Sequence, residues 1–109
     1  MIIRFWRGWT TPEGASAYQT VLSEQVLPMI EGYNMPGFRG IKMMRRDVVG
    51  EGGAAEVEFA TIMQFDNLNS VKAFVGDDIE TAHMPDIAQA VLKRWDSKVV
   101  HYEVFGDDE

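Results

Sequence analysis

Two histidines and no cysteine bound the chemistry open to this 109-residue chain. Thiolate catalysis, disulfides and Cys-ligated zinc or iron–sulfur sites are excluded. His83 lies in Asp78-Ile79-Glu80-Thr81-Ala82-His83, two residues before Pro85, where it is either a functional imidazole or an exposed or capping side chain. His101-Tyr102-Glu103 places a base, a phenol and a carboxylate in succession. On a strand His101 and Glu103 share a face and Tyr102 takes the other, which suits a structural hydrogen bond near the sheet or a dimer interface. Trp6, Trp9, Tyr18, Phe59, Phe65 and Trp95 are a large aromatic complement for a small domain, available either as core or as the walls of a pocket for a flat ligand. Seven methionines suit adaptable filling around such a pocket. No glycine-rich nucleotide loop and no Ser/His/Asp spacing occurs, and one His among scattered acids is a poor metal site.

The elements that must position these groups follow from periodicity. Residues 2–9, rich in β-branched and aromatic types, predict a strand with Ile3, Phe5, Arg7 and Trp9 on one face and Ile2, Arg4 and Trp6 on the other. A helix follows, with Thr10 or Thr11 as N-cap, Glu13 closing a capping box on Thr10, and Pro12 in the first turn. Its apolar stripe is Ala15, Tyr18, Leu22, Val26, Met29 and Ile30, and Pro28 should bend the last turn. Strands are expected at 38–47 and 55–65, joined by a hairpin loop at Gly50-Glu51-Gly52-Gly53. In the second of these Val57, Phe59, Thr61, Met63 and Phe65 share a face. A short helix capped by Asp66, Asn67 or Asn69 should run through Phe74 to Gly76. Another helical segment is expected after Pro85, with Ile87, Ala88, Val91, Leu92 and Trp95 as its buried stripe, before a last strand at 98–105.

The order β-α-β-β-α(α)-β is that of a single α+β, ferredoxin-like domain: a four-stranded antiparallel sheet with helices on one face. Such a sheet can leave its other face to water only if that face is polar. Trp6, Ile62 and one side of the last strand (Val100, Tyr102 and Val104, or Val99 and Phe105) suggest otherwise, so a homodimer with sheets packed face to face is expected. The net charge of −7 divides into +2 over residues 1–49 and −9 over residues 50–109, which argues against a nucleic-acid partner. Arg39, Lys42, Arg45 and Arg46 read as a solvated edge strand, and Asp107, Asp108 and Glu109 as a fraying tail. Neither a signal peptide nor a membrane span is expected, and the absence of Cys suits the cytoplasm.

These segments resemble the small antibiotic-biosynthesis-monooxygenase-like proteins of the dimeric α+β barrel superfamily, over about residues 3–105. The resemblance rests on Arg4-x-Trp6-Arg7-Gly8-x-Thr10, Tyr18 in the first helix, and Pro36-Gly37-Phe38-Arg39-Gly40 leading to Met44-Arg45-Arg46. Ala73-Phe74-Val75-Gly76-Asp77-Asp78-x-Glu80 and His101-Tyr102-Glu103-Val104 complete it.

The resemblance implies a cavity between sheet and helices that takes a small aromatic or polycyclic molecule, and oxidation of that molecule without metal or flavin. It puts the Phe5, Arg7 and Trp9 face of the first strand on that cavity. Arg7 would then hold a substrate oxyanion or enolate; otherwise it pairs with a carboxylate such as Glu103. His83 and Arg7 are the catalytic candidates, and Trp9, Phe65, Phe59 and Tyr18 the substrate-binding ones. Heme-degrading relatives of this kind place an iron-binding histidine in the segment of His83. They also use an Asn on the first strand and a Trp near the exit of the third, where this chain has Arg7 and Phe65 or Leu68. No cofactor is therefore expected, with heme as the alternative, and the other open reading is a non-catalytic binding or stress-response dimer whose pocket is filled by side chains.

Overall fold

A computed structural model describes residues 1–82 and 85–107. Strand β1 (Ile2–Thr10) runs between β3 (Ala55–Phe65) on one side and the short β4 (Arg94–Trp95) and β5 (Val100–Glu103) on the other. Strand β2 (Phe38–Val49) pairs with β3 and forms the far edge, and all pairings are antiparallel. The order is therefore β2-β3-β1 with β4 and β5 in succession along β1. Its basic residues sit at that edge as expected, several of them paired: Arg39 chelates Asp66 at 2.6 and 2.7 Å, and Arg46 donates to Glu58 at 3.0 Å.

The helices cover one face. Helix α1 (Ala15–Val21), a π-helical turn (Leu22–Val26) and α2 (Leu27–Gly32) form one continuous rod, followed later by α3 (Leu68–Val75) and α4 (Asp86–Gln89). Pro28 explains the wide turn. It has no N–H to give to the Glu24 carbonyl and its ring crowds that carbonyl, so the ladder steps out just before it. Leu27 N–H instead donates to the Leu22 carbonyl, five residues back.

Two core clusters lie between the layers. Tyr18, Leu22, Val57, Phe59, Ala88 and Leu92 form one; Ile2, Ile30, Met63, Phe65 and Val71 form the other. The expected inward face of β3 is the observed one.

Two local expectations are corrected and one is borne out. Thr10 belongs to β1 and caps nothing; a turn through Pro12, Glu13 and Gly14 intervenes, and Thr11 Oγ1 accepts from Gly14 N–H at 3.2 Å. Asn67 does cap α3, accepting from Ser70 N–H at 2.9 Å. The helix after Pro85 is only Asp86–Gln89: Ala88 and Leu92 are buried, but Ile87 is exposed and Trp95 is in β4. Backbone pairing with β1 captures Arg94 and Trp95 before the helix can reach them. Among the described residues no helix is long and apolar enough to cross a membrane.

Candidate functional site

Between the layers lies a cavity of about 130 Å³. Arg4 and Trp6 of β1, Met43 of β2 and Met63 of β3 form its floor, and Tyr18, Leu22, Val26 and Ile30 its roof. The π-helical turn aligns the last three at intervals of four along the rod. Phe74, Val75, Ala82, Pro85 and Ala88 close the sides. A groove of about 670 Å³ adjoins it, with Val26, Ile30, Phe74, Val75, Ala82 and Pro85 lining both spaces and Met29 and Tyr33 forming the outer rim. A void of about 150 Å³ with apolar walls holds a benzene-sized ring, so the cavity suits one aromatic ring and the groove the rest of a larger ligand.

One strong charge meets this apolar space. Arg4 is 7% exposed and directly opposite His101 across the β1–β5 pair. Its Nη1 donates to the Ile79 carbonyl at 2.7 Å and contacts His101 Nε2 at 3.0 Å. Guanidinium nitrogens only donate, so Nε2 must accept and the ring proton sits on Nδ1. Burial holds the His101 pKa below its ordinary value, and the Arg4 charge adds to the effect while Glu80 opposes it. Burial likewise lowers the Arg4 pKa. Tyr18, fully buried with its ring edge-on to Phe59 at 4.8 Å, has its phenol pKa raised by burial and stays a neutral hydroxyl.

The sequence-based candidates separate. Tyr18 lines the cavity. Phe59 and Phe65 belong to the core clusters and do not; Phe65 is stacked on Phe74 at 6.1 Å and wholly buried. Arg7 and Trp9 lie on the opposite face of the sheet, which corrects the face expected to line the cavity. Arg7 Nε donates to Asp96 at 2.9 Å, and Arg7 and Arg94 flank the Trp9 ring at 5.1 and 3.8 Å. Glu103, the partner first expected for Arg7, pairs in register with Ile2 and so belongs to the other face. Trp6, expected to be uncovered, faces the helices and donates its indole N–H to the Asp96 carbonyl at 2.7 Å. His83 lies outside the described residues. Arg4 was not singled out from sequence, although a signal was there: it shares its face with Gly8, the small residue that lets the chain after α4 approach the sheet. A Cβ on Gly8 would meet Leu92 at 3.0 Å.

The cavity of about 130 Å³ does not hold a heme by itself; a porphyrin would have to occupy the adjoining groove as well. No group of three or more His, Asp or Glu able to hold a metal ion occurs among the described residues.

No known protein-family profile matches the chain, and no curated protein matches it significantly. Solved structures do. An ethyl tert-butyl ether d (EthD) family protein of Bacillus halodurans C-125 superposes with a TM-score of 0.55 at 18% identity, covering 96% of this chain and all of that one. A monooxygenase from the gene ActVA-Orf6 of Streptomyces coelicolor, solved with the ligand nanaomycin D, superposes with a TM-score of 0.53 at 14% identity, covering 99% and 90%. The likeness shows the fold. It is the α+β, ferredoxin-like arrangement of an antiparallel sheet with flanking helices.

Proposed function

We propose that this protein is an antibiotic-biosynthesis-monooxygenase-like homodimer that binds a small aromatic molecule between sheet and helices and oxidises it directly with molecular oxygen. The observation that carries this reading is the cavity itself: a largely apolar space of about 130 Å³, with Trp6, Tyr18 and Phe74 in its walls, continuous in its lining with a larger groove. The fold shared with a monooxygenase solved with a ligand supports it as analogy. The substrate is a phenol with an activated ring CH₂. Proton loss gives an enolate whose electrons pass to O₂; one oxygen atom becomes the new carbonyl and the other leaves as water with both hydrogens of the CH₂. His83 is the proposed base, supported by its place in sequence between Ala82 and Pro85, which line both spaces.

Oxygen uptake with an anthrone-like phenol, with ¹⁸O₂ and mass spectrometry of the product, tests this. One ¹⁸O per quinone is expected, with turnover reduced about 10²-fold or more in His83→Ala. Binding without uptake would instead make the protein a non-catalytic binding module. A Soret shift on adding hemin that His83→Ala abolishes would replace the proposal with a heme protein.

A further inference from the structure

Among the described residues Arg4 is the one buried arginine, and its charge meets no carboxylate there. Of the other five, Arg7, Arg39, Arg46 and Arg94 each hold an Asp or Glu, and Arg45 is exposed to water. Arg4 has only the Ile79 carbonyl and the neutral His101 ring, both at Nη1, so among the described residues neither its Nε nor its Nη2 has a bond. Glu80, the carboxylate felt by His101, has Lys98 as its own partner at 3.8 Å. A largely buried guanidinium without a counter-charge is costly, and the cost falls when an anion arrives. Arg4 lies on the floor of the cavity, so such an anion would come with the ligand.

We infer that Arg4 makes the cavity selective for aromatic anions: a ring carrying one ionised oxygen, a phenolate or carboxylate, held by the guanidinium while the ring lies among Trp6, Tyr18, Leu22 and Met63. The inference rests on the cavity being a ligand site, and it names the class of molecule that site takes. The selectivity is local, since the chain's net charge of −7 repels anions at long range. A planar, doubly donating guanidinium also suits an oxygen acid better than a lysine would.

The test uses ¹⁵N-labelled protein and the indole N–H resonance of Trp6, held at Asp96 and lining the cavity. Benzoate, benzamide and benzylamine share one ring and differ in charge. Benzoate should bind about tenfold or more tightly than benzamide, and benzylamine most weakly, against the sign of the whole protein. In Arg4→Gln, benzoate should fall to within about twofold of benzamide, while benzamide keeps its affinity. Equal affinities for benzoate and benzamide in the unmodified protein would overturn the inference and leave the cavity standing. No shift with any of the three would overturn the cavity reading itself, and the inference with it. The three-ligand comparison in the unmodified protein decides the matter even if Arg4→Gln fails to fold.

Discussion

Glu56 shows how one residue can organise the sheet face away from the cavity. It is 3% exposed, and its carboxylate accepts from Lys93 and Arg94, each at 2.9 Å. Arg94 in turn covers the Trp9 ring. Hydrogen bonds from Arg94 and then Lys93 lower the Glu56 pKa from 4.5 to about 2, against the opposing effect of burial. A depressed carboxylate pKa means that the unfolded chain takes up the proton first, so the stabilisation is whole above pH 4.5 and is lost as pH falls towards 2. Glu56→Gln should therefore be less stable than the parent at pH 7, with the gap closing between those limits. Urea unfolding at a series of pH values measures it, and a gap that did not change with pH would contradict the role. None of this was legible from residue types. Glu56 alternates with apolar neighbours like any solvent-facing strand residue, and only the path of Lys93 and Arg94 back across β1 buries it.

Elements were legible where a repeating pattern meets a chemical stop. The β3 alternation, the Asn67 cap and the Gly76 end of α3 all follow from local sequence. Gly37 illustrates a turn required by packing as well as by backbone. Its φ is +77°, and a Cβ there would collide with the Ser70 side chain at the start of α3. Gly37→Ala should cost about 1–3 kcal/mol, from the left-handed backbone and the overlap together. Chemical denaturation checks this, and Gly37→Ala combined with Ser70→Gly should recover part of the loss; no recovery would assign it to the backbone alone. Elements were misread where a long-range partner overrides a local pattern. Val91, Leu92 and Trp95 keep helical spacing after Ile87 and Ala88, yet β1 takes Arg94 and Trp95 into the sheet, because backbone pairing with an existing strand outweighs the weak propensity of a short helix.

At the scale of the molecule, one face of the sheet is left uncovered. By register Ile3, Phe5, Met44, Ala60, Ile62, Val100 and Tyr102 share that face, and Met44, Val100 and Tyr102 are exposed at 42%, 46% and 59%. The charged cluster of Arg7, Glu56, Glu58 and Arg94 lies at one end of it. Apolar surface of this kind supports the proposed face-to-face homodimer, in which two copies of the band cover each other. Sedimentation at micromolar protein should give a dimer, and Ile62→Glu a monomer that keeps its circular dichroism. A monomeric parent protein would end the proposal.

The sequence alone determined the element types, the order that makes a ferredoxin-like sheet, the inward face of β3 and the absence of thiol chemistry. These are properties of neighbours along the chain: alternation, caps, turn residues and composition. Only the tertiary structure decided which face of β1 meets the helices, and with it the exchange of Arg7 for Arg4 on the cavity. Both faces of β1 carry an arginine and a tryptophan, so alternation defines two sets without ranking them. The ranking came from Gly8, which admits Leu92 at close range, and from Asp96, which accepts from Trp6 on one face and Arg7 on the other. Such choices depend on residues some ninety positions away, and the chain settles them only by folding.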